Sequence, residues 1–273
     1  MTFKSTKSAH DREIMRGKLE ELYFLYNDRK YVHPDPLEFL YDYPDPLDRE
    51  LVGLISSSLA YGRVAQILKS VSFILEKMRH SPVSFLKESS GKSLKSTFSG
   101  FKHRFTTGEE MASMLIKARG LIEQYGSLNE CFLTCFDKDD ETIIPALSAF
   151  VERFNGNDCD FKNSLLPAPD KGSACKRLNL FLRWMVRKDE VDPGGWEGIP
   201  ASKLIIPLDT HMYRICGRLD MTCRKQADLL TALEITEGFR KISPEDPVRY
   251  DFAITRLGIR SDAEPELFFE GLE

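Results

Sequence analysis

The feature that most constrains this chain is a helical spacing of apolar residues that recurs along its length, broken by proline and glycine and almost free of strand-like alternation. Ile14, Leu19, Leu22, Tyr23, Leu25 and Tyr26 fall at helical intervals. His33-Pro-Asp-Pro and Tyr43-Pro-Asp-Pro then interrupt the chain, because proline has no amide donor and restricts the residue before it. A second helix is expected over 48–60, with Leu51, Val52, Leu54, Ile55 and Leu59 inward. A third follows Gly62 and carries Val64, Ile67, Leu68, Val71, Ile74 and Leu75.

Further along, the polar stretch 87–99 reads as a loop or a short helix. Thr107-Gly-Glu-Glu110 and Ser127-Leu-Asn-Glu130 fit the capping box, in which a hydroxyl and a glutamate satisfy free amides at a helix start. Another helix is expected over 142–154. Residues 155–171, rich in Asn, Asp and Pro, form the best candidate boundary. Beyond them lies an apolar helix holding Leu178, Leu180, Phe181, Trp184, Met185 and Val186. A Gly/Pro loop follows over 189–200, then helices over 210–218 and 226–239. A last helix is expected to start at Ser243-Pro244 and run to Leu257. The expected division is an N-terminal helix and Pro-rich connection over 1–45, a helical bundle over 46–160, and a C-terminal region over 161–273.

Composition narrows the function classes. The 273 residues are 42% hydrophobic and 29% charged, which is ordinary for a globular chain with a sizeable core. No apolar run approaches the roughly 20 residues of a membrane span, and Met1-Thr2-Phe3-Lys4 opens no signal-peptide core, so no membrane partner is expected and the cytoplasm is the expected location. Six cysteines show no CxxC pair. Cys131 and Cys135, four apart on one helix face, read as buried thiols rather than half a metal site, and no metal is expected. The net charge of −4 argues mildly against nucleic acid as a partner. Yet from Lys171 to Lys188 stand six basic residues and no acidic one, a local stripe that could meet phosphates or simply face solvent.

The stripe opens Gly172-Ser-Ala-Cys-Lys176-Arg177-Leu178-Asn179, and Leu208-Asp209-Thr210-His211 follows. Here the chain resembles the HhH-GPD (helix-hairpin-helix) superfamily of DNA glycosylases, and in particular a bacterial branch loosely tied to it. Gly172 matches the first hairpin glycine, Lys176 the catalytic lysine and Asp209 the aspartate that starts the next helix, with Arg214 beyond. A weaker similarity covers Ala60-Tyr61-Gly62-Arg63, the turn from which such enzymes push a side chain into the base stack. The resemblance implies an all-α, two-lobed fold with a cleft between the lobes. It also implies excision of a damaged base from double-stranded DNA, with an added AP-lyase step if Lys176 is a nucleophile, and no cofactor.

The chemistry needs these residue types. Cleaving an N-glycosidic bond builds positive charge on the sugar, which a nearby carboxylate such as Asp209 stabilises. A lysine such as Lys176 attacks C1′ only when neutral, so a cationic neighbour such as Arg177 would help. Gly172, Ser173, Arg177, Arg183, Arg187 and Arg214 are the expected DNA contacts. Tyr61, Arg63, Trp196 and His211 are candidates for the wedge or the base pocket. Each has a plainer reading: Asp209 is also a good N-cap, Trp184 sits in an apolar helix, and His211 suits a structural hydrogen bond. Three departures from the family pattern stand out. Ala174 replaces a hairpin glycine, Lys176 and Asp209 are 33 positions apart because of an inserted loop over 186–203, and no four-cysteine iron–sulfur cluster is present. That loop could close the pocket or block it. The alternatives are a nucleic-acid-binding protein that keeps the fold without catalysis, and an enzyme acting on free nucleosides.

Overall fold

The structure, a computed structural model, describes residues 9–156, 164–260 and 265–272. The expected boundary at 160/161, Cys159 and the first four residues lie outside them.

Among the described residues the protein is predominantly helical. The helices are α1 (Ala9–Tyr26), α2 (Pro46–Ser58), α3 (Val64–Met78), α4 (Pro82–Glu88), α5 (Gly91–Thr97), α6 (Gly108–Tyr125), α7 (Leu128–Leu133), α8 (Ile144–Asn155), α9 (Lys176–Val186), α10 (Thr210–Arg218), α11 (Leu229–Arg240), α12 (Asp251–Ile259) and α13 (Pro265–Phe269). One hairpin of two-residue strands, β1 (Lys102–His103) and β2 (Thr106–Thr107), pairs antiparallel before α6. No helix among the described residues is long and apolar enough to cross a membrane.

The starts of these helices follow side-chain chemistry. Thr107 and Glu110 form the full reciprocal capping box of α6. The Ser127 hydroxyl accepts the Glu130 amide at the start of α7. Asp45 caps α2 ahead of Pro46, where a missing amide is harmless. The stretch 87–99 mostly forms short helices, α4 and α5, each capped by a serine. The last long helix starts later than the sequence suggests, at Asp251 rather than Ser243. Pro247 disfavours helical geometry at Asp246, so residues 243–250 fold as turns.

A single hydrophobic cluster runs from Met15 to Leu272 through nearly every helix. α2 is its hub, buried along most of its length. Gly53 lets α9 approach closely: a Cβ there would lie 3.3 Å from both Phe181 and Met185. α1 packs on α12, and Glu20 of α1 binds Tyr250 (2.6 Å) and Arg249 (3.0 Å), the two residues just ahead of α12. α10 packs on the other side of α12, where Gly258 leaves room for the His211 ring. These contacts bring the start of α9, the start of α10 and one face of α12 around a common space.

The inserted loop turns into the core. Trp196 is buried, stands against Phe132 and Phe181, and donates its indole N–H to Glu50 at 2.9 Å. The amides of Gly194 and Trp196 close on the Trp184 and Met185 carbonyls. Beneath this loop lies a buried charge network. Arg183 pairs with Asp192 and Asp251, and Arg187 with Asp192, Asp189 (2.9 Å) and Asp246 (2.8 Å). Burial works against both guanidinium charges, but the carboxylates outweigh it and hold their pKa values above the ordinary arginine value.

Candidate functional site

An open cavity of about 690 Å³ lies where α9, α10 and α12 face the α2–α3 turn and the His33–Pro36 segment. That volume falls in the usual range of small-molecule sites. Ala60, Val64, Leu180, Phe252 and Ile259 supply apolar wall, and Asp35, Lys176, Arg183, Asp209, Asp251 and Arg256 supply charged groups.

Two of those groups come from helix starts. Lys176 opens α9 after a strained turn: Gly172 is left-handed (φ 76°), and so is Cys175 (φ 48°), where a side chain makes that region costly. The left-handed residue before the lysine is thus Cys175, while Ala174 stays out of that region. Asn179 secures the turn by donating to the Ala174 carbonyl at 3.0 Å, and the Leu229 amide donates to the Gly172 carbonyl at 3.0 Å. Asp209 opens α10. Its Oδ1 accepts the Met212 amide at 2.8 Å, and its Oδ2 stands 3.7 Å from the Lys176 ammonium. Both side chains are partly exposed, at 35% for Lys176 and 20% for Asp209, so the pair is open to a ligand.

Deeper in the wall, Asp251 pairs with Arg183. Burial pushes its carboxyl up to about 6; Arg183 counters this, and the nearby Asp209 charge adds to it. Its Oδ1 accepts no hydrogen bond among the described residues. Arg256, also in the lining, bonds Asp35 at 2.6 Å. Asp251, Arg256, Asp35 and His33 were not singled out from the sequence. The available signal was two charges inside the apolar run Tyr250–Leu257.

Of the residues expected at the site, Lys176, Asp209 and His211 line the cavity together, with Gly62 of the weaker motif. Ser173 turns onto its own loop, accepting the Cys175 amide at 3.2 Å. Arg63 and Arg214 are exposed, on the α2–α3 turn and on α10. Five expectations need correction. Arg183 lines the wall, but it and Arg187 are buried in ion pairs and present no free charge to a phosphate. Arg177 donates to the Ser58 and Ser164 carbonyls and stacks over Tyr61, so it clamps α9 to the end of α2. Trp196 is core. The Tyr61 hydroxyl is bound to the His103 carbonyl (2.9 Å) and the Thr106 hydroxyl (2.7 Å), which removes it as a free wedge. The inserted loop contributes no residue to the cavity lining, so it neither lids nor fills it.

Among the described residues no group of three or more His, Cys, Asp or Glu side chains could hold a metal ion. Cys131 is buried and its thiol is pushed up to about 11 by that burial, and Cys135 bonds the Cys131 carbonyl through sulfur.

Fold and site together define a helical protein with a partly exposed amine–carboxylate pair in the lining of a ligand-sized cavity. Residues 35–260 match the family described as Protein of unknown function (DUF2400), and the chain belongs to that family. Comparison with curated proteins and with solved structures gives no match.

Proposed function

We propose that this protein is a DNA base-excision glycosylase with an HhH-GPD-like, two-lobed architecture, taking a flipped nucleotide of double-stranded DNA into the 690 Å³ cavity. The observation that carries the reading is the approach of Lys176 Nζ to within 3.7 Å of Asp209 Oδ2 in open space, across 33 positions of sequence. The left-handed turn ahead of Lys176 and the double use of the Asp209 carboxylate agree with the resemblance that led to these residues.

In the simplest form of the reaction, Asp209 Oδ2 faces C1′ of the deoxyribose. The base departs with the glycosidic electron pair and takes up a proton. The carboxylate stabilises the cationic sugar until water adds to C1′ and loses a proton. In the lyase form Asp209 first accepts the Lys176 proton. The neutral amine then bonds to C1′ as the base leaves with the glycosidic electron pair and takes up the proton the amine sheds. The C1′–O4′ bond breaks as Asp209 returns its proton to O4′, and the resulting C1′=Nζ Schiff base allows loss of a C2′ proton and elimination of the 3′ phosphate. Phe252 and Leu180 offer apolar surface for the extruded base.

Borohydride trapping on duplexes with deaminated, alkylated and oxidised bases tests the proposal. A covalent adduct with the native protein that is absent in Lys176→Gln supports the lyase form. Base release without an adduct, lost in Asp209→Asn, supports the simple glycosylase. DNA binding without release from any lesion favours the non-catalytic binding module, and cleavage of free nucleosides without DNA affinity favours the small-molecule enzyme.

A further inference from the structure

Outside the cavity, the β1–β2 hairpin presents an unusual surface. Its turn is only Arg104-Phe105, between the paired His103 and Thr106. The Phe105 ring is 79% exposed, the most exposed large hydrophobic group among the described residues. The tip is held stiffly. Tyr61 reaches both ends of the turn through its hydroxyl. The buried His103 ring packs edge-on to Tyr61, faces the Tyr61 carbonyl through Nε2 at 3.0 Å and meets Ser70 through Nδ1 at 2.9 Å. A carbonyl only accepts, so Nε2 carries the proton and Nδ1 accepts from Ser70. Burial lowers the His103 pKa, which keeps this neutral buttress in place. Arg104 is left-handed (φ 51°), a strained state for a residue with a side chain, and its stem lies against Gly62 on the cavity wall.

The surroundings are cationic. A second hollow of about 300 Å³ between α3 and the hairpin is lined by Lys69, Lys102 and Arg104, with Ser70 and Gln66, and by no carboxylate. Lys69, Lys102, Arg104 and the nearby Arg63 take part in no ion pair among the described residues. The closest carboxylates in sequence are Glu109 and Glu110, and Glu110 is engaged by the α6 cap. An exposed ring on a rigid support, flanked by cations that form no ion pair (the Arg104 guanidinium lies 5.5 Å from the Phe105 ring centre), is the combination that binds a nucleic-acid strand: bases stack on the ring and phosphates meet the charges.

We propose that the hairpin is the DNA-stacking element of this protein. Phe105 enters the base stack at the gap left by the nucleotide held in the cavity, and a backbone phosphate sits in the Lys69/Lys102/Arg104 hollow. The proposal rests on the DNA reading above and shifts the stacking role from Tyr61, which serves as the hairpin's anchor. Phe105 is thereby a positioning residue, and base chemistry stays with the cavity.

The test uses the full chain carrying Asp209→Asn and a duplex with a tetrahydrofuran abasic analogue opposite 2-aminopurine. Binding is read by anisotropy and stacking by 2-aminopurine emission. Phe105→Ala is expected to weaken binding about tenfold, within the range for one stacked base, and to abolish the emission change without lowering the melting temperature. Phe105→Trp is expected to restore both. Lys102→Ser and Arg104→Ser are each expected to weaken binding, and combined to reduce the slope of log K against log salt by about 0.9, the contribution of one phosphate. An emission change that survives Phe105→Ala overturns the stacking role while leaving the DNA reading intact. Salt-sensitive binding with no emission change in any variant points to an acidic protein or polyanion and also overturns it. Absence of DNA binding by the unsubstituted hairpin overturns both. Stacking by a protein that releases no base from any lesion leaves the hairpin proposal standing and removes the glycosylase.

Discussion

Asp209 uses its two oxygens for different purposes, and substitution separates them. Oδ1 caps α10 through the Met212 amide, and Oδ2 faces Lys176. Asparagine caps a helix about as well as aspartate but offers Lys176 no charge, whereas alanine removes both functions. The cap is worth about 1 kcal/mol. The Lys176 pair adds about 0–1 kcal/mol, since both side chains meet solvent. Loss of the Asp209 charge also relieves the buried Asp251 carboxyl, which offsets part of that. Asp209→Asn should therefore unfold within about 1 kcal/mol of the native protein, and Asp209→Ala should lose about 1–2 kcal/mol, a fall of a few degrees in Tm. Activity should divide otherwise: both variants lack the carboxylate, so both should lose about 10²–10⁴-fold in base release. Thermal melting and single-turnover release on the same preparations test the two halves. Equal destabilisation by Asn and Ala would refute the capping argument. Native release rates in Asp209→Asn would refute a chemical role for Oδ2.

The other predictions concern the frame of the site. Asp192→Ala leaves the buried Arg183 and Arg187 short of a shared carboxylate and should cost about 3–5 kcal/mol in urea unfolding; a loss below about 1 kcal/mol would show the network to be dispensable. Burial raises the Glu50 carboxyl from its ordinary 4.5 to about 7, against the Leu128, Asn129 and Trp196 hydrogen bonds. A raised acid binds its proton more tightly when folded, so its contribution is full below pH 4.5 and falls as pH rises to 7. Relative to Glu50→Gln, the native protein should thus lose up to about 3 kcal/mol across that window, and a pH-independent difference would contradict the raised pKa. Gly62→Ala adds a Cβ at φ 98° and 2.7 Å from the Arg104 stem, and should cost about 1–3 kcal/mol and disturb the hairpin; an unchanged Tm would contradict this.

Local chemistry was legible in the sequence, and tertiary pairing was not. The Thr107 capping box and the Asp209 cap each depend on residues within one turn of one another, so their spacing sufficed. The convergence of Lys176 and Asp209 came from family resemblance, because no local pattern connects positions 33 apart across an inserted loop. The basic stripe misled for a physical reason. A count along the chain sees Arg183 and Arg187 without acids, while their partners Asp192, Asp246 and Asp251 arrive from later segments. Trp196 misled likewise: a Gly-rich loop suggests exposure, yet its glycines let the chain turn inward and bring the indole to Glu50. Phe105 lay in the short stretch between the fifth and sixth helices, where two-residue strands leave almost no alternation to detect.

The amine–carboxylate pair is tested most directly by mass spectrometry of bases freed in a single turnover from duplexes carrying deaminated, alkylated and oxidised lesions, with native protein and Asp209→Asn side by side. At least one lesion base should be released by the native protein, and at least about 100-fold more slowly by Asp209→Asn. Release from no lesion, or equal release by the two proteins, would contradict the assignment of base excision to this cavity.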